Sequence, residues 1–175
     1  TEITGCTNNA KVTIDSLYDN NNYTYFHHNG YHYTHHNAGG IIGSISSGNN
    51  PAITKCINNG AVVVIIQVST GGDGYFKICD SSCPIFAGGI IGYNESGATT
   101  VIDQCLNTGN ISGSIEKYYS NYYGCASSGI GYGLSVIKNT VNLGTSRYLS
   151  FGEADTIENC YNFSNENTAV YVKQG

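Results

Sequence analysis

One pattern recurs along the chain and constrains its fold more than any other feature. The clearest copy is Ala87–Ser112, and a close second copy precedes it at Ala38–Val62. Shorter versions follow at Ser128–Gly144 and Ser150–Ser164, and the chain opens on the back half of another, Ile3–Val12. The shared pattern is G-G-I-I-G, a variable turn, and then I-x-x-C-x-N-x-G before a β-branched residue. Internal repeats of this kind indicate a solenoid, in which each unit stacks on its neighbours.

Aligning the copies gives three columns, each dominated by one residue type. The isoleucine column contains Ile3, Ile53, Ile102, Ile137 and Ile157. The cysteine column contains Cys6, Cys56, Cys105, Thr140 and Cys160, and the asparagine column contains Asn8, Asn58, Asn107, Asn142 and Asn162. The cysteine, the asparagine and the following glycine lie two residues apart, which is strand alternation, whereas the isoleucine lies three before the cysteine. A bend is therefore predicted between the isoleucine and the cysteine.

The columns predict parallel sheets in which like residues stack on like. We expect about three short strands in each coil, with the isoleucine and cysteine columns buried. The asparagine side chains should lie inward or at a corner and bond along the stack, because a buried amide without partners costs about 1–3 kcal/mol. The prediction is an all-β chain, a parallel β-helix or β-solenoid of about four to five coils, forming one domain over residues 1–175.

Composition supports this fold class and excludes several functions. Charged residues make up 11% of the chain, against about a quarter in an ordinary globular protein, and no segment shows a helical apolar period. The net charge is −5 with only 7 Lys and Arg, so no basic surface is predicted for nucleic acid. The longest apolar run, Ala61–Ile66, is too short to span a membrane, which takes about 20 residues.

The longer units carry insertions at one point, between the β-branched strand and the next G-G-I-I-G. Such insertions map to one face of a solenoid, and we expect three β-hairpins there. The first, Tyr23–His36, folds about Asn29-Gly30, a strong hairpin signal. Their tyrosines are candidate ligand-binding residues for a protein or glycan, although they can also pack the hairpins together: Tyr25, Tyr31, Tyr33, Tyr118, Tyr119, Tyr122 and Tyr123.

All five histidines of the chain lie in the first hairpin. His27 and His32 fall opposite each other across its turn, with Cβ atoms about 5 Å apart, a spacing that suits a divalent transition metal. A tight site needs further ligands, and no carboxylate beyond Asp19 is near in sequence. We favour a polar, aromatic hairpin over a metal site, and no cofactor is predicted.

The seven cysteines fall into two groups. Those of the column could bind metal or form disulfides, but Thr140 fills one position and no C-x-x-C pair exists, so we interpret them as a buried structural column. Cys79 and Cys83 form a plausible local disulfide, and Cys125 is an alternative partner for Cys83. The sequence does not choose between these pairings.

Glycosylation sequons and cysteine content favour an extracellular or cell-surface location. The sequons begin at Asn22, Asn94, Asn110 and Asn162. Asn22, in an inserted arm, and Asn94, in a turn, are the predicted acceptors, whereas Asn162 belongs to the asparagine column and should be unmodified. The chain has no Met, which predicts a processed form or a piece of a longer protein.

The residue after each column isoleucine bears on catalysis, because β-helices that cleave polysaccharides carry paired acids on one face. These residues are Thr4, Thr54, Asp103, Lys138 and Glu158. Lys138 lies between the two carboxylates and favours a salt-bridged ladder over a catalytic pair. The chain is therefore predicted not to be an enzyme, with a glycan-cleaving β-helix as the less favoured alternative.

The columns resemble the GLUG-type repeat, whose pattern is close to G-G-L-V-G … I-x-N-C-Y-N-x-G-x-V. Gly88–Ile111 matches the front of that pattern best, and Thr156–Asn162 matches the back. The resemblance covers about half of the chain and leaves out the inserted hairpins. It implies a β-helical module of a repetitive surface protein, as in adhesin-like chains, and it implies no chemistry.

These expectations combine into one leading function and one alternative. The leading function is a non-enzymatic surface or matrix repeat that binds a glycan or a protein through its hairpins. The alternative is a structural subunit of a head-to-tail filament, because both ends of the chain break inside a coil and would expose unpaired strand edges.

Overall fold

The computed structural model describes residues 1–19, 36–69, 85–116, 125–146, 152, 154–163 and 168–171. Within these ranges the regular structure is all strand, and no helix is present. In chain order the strands of the described ranges are β1 (Glu2–Thr4), β2 (Thr7–Asn8), β3 (Val12–Asp19), β4 (His36–Gly39), β5 (Ile42–Ile45), β6 (Ala52–Thr54), β7 (Ile57–Asn58), β8 (Val62–Ser69), β9 (Ile85–Gly88), β10 (Ile91–Asn94), β11 (Val101–Asp103), β12 (Leu106–Asn107), β13 (Ile111–Glu116), β14 (Cys125–Ser128), β15 (Leu134–Lys138), β16 (Val141–Asn142), β17 (Ala154–Glu158), β18 (Cys160–Phe163) and β19 (Thr168–Tyr171).

Strands from equivalent positions of the repeats lie side by side in the same sheet. The isoleucine sheet has the order β1-β6-β11-β15-β17, and the asparagine sheet has the order β19-β18-β16-β12-β7-β2. The smaller sheets are β13-β8-β3, β14-β9-β4 and β10-β5. All pairs except β18 with β19 are parallel, so the predicted all-β fold with parallel strands in stacked sheets is confirmed for the described part of the chain.

The isoleucine column pairs in register through the whole isoleucine sheet. Ile3 is the Cα partner of Ile53, which pairs with Ile102, and the series continues to Ile137 and Ile157. The three middle members are fully buried. They join the isoleucines of the G-G-I-I-G segments in one core, where burying each side chain contributes about 1.5–3 kcal/mol.

Two features of the strand arrangement differ from the sequence predictions. The prediction of about three strands per coil is wrong for the long copies, since β4 to β8 divide one repeat into five short strands. At the end of the last repeat, β19 runs antiparallel to β18. The uncovered edge predicted at that end is therefore covered in the asparagine sheet by a strand of the opposite direction.

The predicted bend between isoleucine and cysteine is present, and it has one backbone conformation throughout. The residue before each column cysteine or threonine has a positive φ, between 49° and 67°: Gly5, Lys55, Gln104, Asn139 and Asn159. Residues other than glycine and asparagine rarely adopt this left-handed region. Lys55 and Gln104 therefore hold a strained conformation that the register of the neighbouring strands imposes on them.

Replacing Gln104 with valine should test that strain directly. Gln104 is exposed, so the substitution changes little packing, but a β-branched side chain at a φ of 54° should cost about 1–2 kcal/mol of unfolding free energy. Urea unfolding followed by circular dichroism gives the measurement. The exposed strand residue Ser112 provides the control, because Ser112→Val should leave stability unchanged or raise it slightly. If Gln104→Val and the parent had equal urea midpoints, the corner at Gln104 would not be strained.

Candidate functional site

An unbroken chain of side-chain amides runs through the asparagine sheet. Nδ2 of Asn8 donates to Oδ1 of Asn58 at 2.9 Å, and Asn58 donates in the same way to Asn107 at 2.8 Å. Asn107 then donates to Asn142 at 2.8 Å, and Asn142 donates to Asn162 at 2.7 Å. The hydrogen bonds expected along the asparagine column are therefore present, and all four point in the same direction. We call this chain the asparagine ladder.

Each inner rung of the ladder also bonds to its own turn. Asn107 shows the arrangement, since its Nδ2 donates a second time to the carbonyl of Gly109 at 3.0 Å, and its Oδ1 accepts the N–H of Gly109 at 3.2 Å. With its bonds to Asn58 and Asn142, both protons and both lone pairs of this amide have partners. Because every hydrogen-bond donor and acceptor of this amide has a partner, the polar side chain can be buried with no exposed surface.

Glycines enclose the ladder because nothing larger fits beside it. A Cβ on Gly89 would lie 2.5 Å from Cγ of Asn107 and 2.0 Å from the carbonyl oxygen of Gly129. A Cβ on Gly40 would lie 2.3 Å from Cγ of Asn58. The second glycine of G-G-I-I-G therefore serves close packing against the amides.

The cysteine column lies inward beside the ladder. Cys56, Cys105 and Cys160 are buried and free, and Cys6 is exposed. Each buried thiol contacts backbone carbonyls, such as Sγ of Cys105 with the oxygen of Asp103 at 3.4 Å. Thr140 bonds in the same way, because its hydroxyl donates to the backbone carbonyl of Lys138 at 2.8 Å. This explains why threonine can fill one position of the cysteine column.

Burial keeps these thiols protonated. It raises the pKa of Cys105 to about 12, and it raises the pKa of Cys56 and Cys160 above the ordinary value. Because the thiolate is the reactive and metal-binding form, buried thiols of this kind are inert at neutral pH. Among the described residues, no group of three or more His, Cys, Asp and Glu side chains is placed to hold a metal ion.

The carboxylates considered for catalysis lie on the outer side of the isoleucine sheet. Asp103, Lys138 and Glu158 are Cα partners in that order. Nζ of Lys138 lies 3.5 Å from Oδ2 of Asp103, and Asn139 donates to Oδ1 of Asp103 at 2.9 Å. The part of the predicted salt-bridged ladder that joins Lys138 to Asp103 is therefore present, whereas no ion pair between Lys138 and Glu158 is found among the described residues.

The outer side of the asparagine sheet is the most apolar exposed surface of the described residues. Leu143, Tyr161 and Phe163 are the large hydrophobic side chains that stand exposed there, at 45%, 39% and 48%. Neighbours in the same register are part-exposed and also apolar. We define the outer apolar face as the side chains of Ile57, Leu106, Val141, Leu143, Tyr161 and Phe163.

The structure argues against Asn94 as a glycan acceptor. Asn94 is buried, and its Nδ2 donates to the carbonyls of Ala98 at 3.0 Å and Gly133 at 2.9 Å. Its Oδ1 accepts the hydroxyl proton of Thr100 at 2.7 Å, so the side chain clamps the turn after β10. The prediction of Asn94 as a glycan acceptor is therefore corrected, because its buried amide is occupied by these hydrogen bonds. Asn110 is exposed and suits an acceptor better, whereas Asn162 is buried.

Several predicted sites lie outside the described residues. They are the ligand-binding tyrosines of the hairpins, the histidine pair His27 and His32, the disulfide candidates Cys79 and Cys83, and the acceptor Asn22. The choice between a polar hairpin and a metal site at the histidine pair stays a prediction, as does the pairing of Cys83 with Cys79 or Cys125. The sequence interpretation missed the outer apolar face, although alternation from the asparagine column already places its members on the outer side of the strands.

The comparisons with known proteins leave the chain without an assigned family. No protein-family model, no curated protein and no solved structure matches it. Within the described residues, no helix has the length and apolar character needed to cross a membrane.

Proposed function

We propose that the chain is a non-enzymatic module of an extracellular or cell-surface protein, built as a parallel β-solenoid, that binds a partner protein through the outer apolar face. One observation carries this proposal. The exposed large apolar side chains of the described residues are gathered on one side of one sheet. Patches of this kind mark protein contact sites, and tyrosine and phenylalanine are enriched in such contacts.

The chemistry of this face favours a protein over a glycan. Val141 is the Cα partner of Tyr161, and Leu143 and Phe163 directly follow the paired residues Asn142 and Asn162. Aliphatic groups therefore occupy positions of this face where a sugar needs hydrogen-bonding partners. The outward positions of the parallel strands of this sheet carry no charge, which suits a neutral partner surface. The hairpin tyrosines stay a separate candidate contact, and the resemblance to surface repeats supports a binding role.

The extracellular location and the absence of catalysis are parts of the same proposal. The exposed sequon asparagine Asn110 supports an extracellular setting. The pairing of Asp103 with Lys138 supports a structural role for the carboxylates. A polysaccharide-degrading activity in the purified chain would contradict this part.

The binding proposal is tested by screening the labelled chain against arrays of extracellular proteins and of glycans. Affinity for any protein ligand should fall about tenfold or more in the double variant Leu143→Ser with Phe163→Ser, because anchor side chains near the centre of a contact carry most of its energy. The control is Asn59→Ser with Thr108→Ser. Like Leu143 and Phe163, these two exposed polar residues directly follow a residue of the asparagine column, and their substitution should alter affinity less than about twofold.

Two results would contradict the proposal. Binding of a protein ligand unchanged by the Leu143 and Phe163 substitutions would place the contact elsewhere. Binding confined to glycans, and lost in the same double variant, would replace the protein partner with a carbohydrate. Circular dichroism of each variant confirms that the sheet is retained.

A further inference from the structure

The side-chain amide of Asn110 is bonded through only one of its two polar atoms. Its Oδ1 accepts the hydroxyl proton of Thr145 at 2.9 Å and the backbone N–H of Thr145 at 3.2 Å. Its Nδ2 makes no hydrogen bond within the described part of the chain, and the residue is exposed. The oxygen of this amide is therefore held against the next repeat, and the nitrogen is left unbonded at the surface.

The nitrogen that Asn110 leaves unbonded is the atom that N-glycosylation uses. In that reaction Nδ2 forms a bond to the anomeric carbon of an oligosaccharide carried on a lipid pyrophosphate. The bond from that carbon to the pyrophosphate oxygen breaks, the lipid pyrophosphate leaves, and Nδ2 gives one proton to a base of the transferase. Oδ1 is unchanged, so a glycosylated Asn110 keeps both bonds from Thr145.

The three residues of this sequon alternate between surface and core. Asn110 and Ser112 are exposed, whereas Ile111, the first residue of β13, is buried between them. This is the alternation of an extended strand, in which successive side chains point to opposite faces. Ile111 therefore fixes the segment to the core, and a sugar on Asn110 would extend into solvent.

The corner on which Asn110 lies has space for a sugar. Because Ile111 is the Cα partner of Val62, the residue equivalent to Asn110 in the preceding repeat is Ala61. On the other side, the N–H of Ile111 donates to the carbonyl of Thr145 at 2.8 Å, which places Thr145 next to Asn110 in the following repeat. Ala61 and Thr145 are both small and part-exposed, so the first sugar residue would meet no bulky neighbour from either of them.

The two other sequons of the described ranges lack these properties. Nδ2 of Asn94 is bonded to two backbone carbonyls inside a buried turn. Asn162 has no exposed surface, and its Nδ2 is enclosed. A glycan on either residue would have to occupy the interior of the stack, so a chain modified there could not reach this fold. The sequon at Asn22 lies outside the described residues.

We propose that Asn110 carries an N-linked glycan, at the corner between the asparagine sheet and β13. This inference rests on the extracellular location proposed above, because the lipid-linked donor is used on the non-cytoplasmic side of a membrane. The glycan replaces one solvent-facing proton and breaks no bond of the fold.

Secretion of the full chain from cultured animal cells tests the site, because these cells supply the lipid-linked donor. Peptide N-glycosidase in heavy-oxygen water converts each glycosylated asparagine into a labelled aspartate, and mass spectrometry of peptides locates the label. We expect the label on Asn110 in most secreted molecules, and neither on Asn94 nor on Asn162. An unlabelled Asn110, or a labelled Asn162 in secreted molecules that circular dichroism shows to be folded, would overturn the proposal.

Two substitutions of Ser112 give a matched pair for this test. Ser112→Ala removes the hydroxyl of the sequon and should abolish the label on Asn110, whereas Ser112→Thr retains a hydroxyl and should keep it. Ser112 is exposed, so both variants should fold and be secreted like the parent. A label that persists in Ser112→Ala would overturn the proposal. Since secretion is imposed here, an unlabelled Asn110 contradicts the glycan site alone, whereas the array screen tests the binding role separately.

Discussion

Replacing Asn107 with aspartate should remove most of the stability of the chain at neutral pH. The amide of Asn107 donates to Asn142 and to the carbonyl of Gly109, and aspartate would set an oxygen against both of these acceptors. The side chain has no exposed surface, so the new charge would be buried without a cation. We expect a loss of about 3–5 kcal/mol, a large part of the total stability of a typical domain.

Urea unfolding followed by far-ultraviolet circular dichroism gives the measurement. The matched control is Asn59→Asp, because Asn59 is exposed one residue after the same column, on the outer side of the strand. It loses its bond to Asn9, at 2.8 Å, and should cost less than about 1 kcal/mol. If both variants unfolded at the same urea concentration, the ladder would not be a buried structural element.

Replacing Gly89 with alanine should have the second largest effect, for a steric reason. The added Cβ would lie 2.0 Å from the carbonyl oxygen of Gly129 and 2.5 Å from Cγ of Asn107. Neither neighbour can move alone, since one belongs to the backbone of the next repeat and the other is held in the ladder. We expect a loss of about 3 kcal/mol, at the upper end for overpacking.

Gly43→Ala provides the comparison, because a Cβ there would lie 3.0 Å from its nearest neighbour, the carbonyl oxygen of Asn37. Its expected cost is clearly smaller than that of Gly89→Ala. Thermal unfolding of the two variants side by side gives the measurement. A Gly89→Ala variant that melts with the parent would show that the repeats are not in close contact at this position.

The sequence predicted the parts of the fold in which equivalent residues of neighbouring repeats contact each other. The register of Ile102 with its neighbours, the bend at Gln104 and the bonds of Asn107 all follow from columns that can be aligned by eye. In each case, one local pattern recurs and the stack repeats it.

Features that depend on contacts outside the columns could not be predicted. The direction of β19 is one, because Thr168–Tyr171 belongs to no column, and a short strand outside the columns carries no signal for parallel or antiparallel pairing. The burial of Asn94 is another, since one of its partners, Gly133, lies 39 residues away in a shortened repeat. The position of the exposed face around Phe163 was predictable from strand alternation, but its most exposed apolar side chains lie only in the last repeats, where the column pattern is weakest.

The uniform register of the stack has a consequence for changes in chain length. Ile53 meets Ile102 through the same contacts by which Ile102 meets Ile137, and Asn58 meets Asn107 as Asn107 meets Asn142. Duplicating or deleting one whole repeat would therefore create no new kind of junction. Since stability in such arrays is close to a sum over units and their interfaces, genetic recombination between repeats can lengthen or shorten this protein in whole steps without redesigning its core.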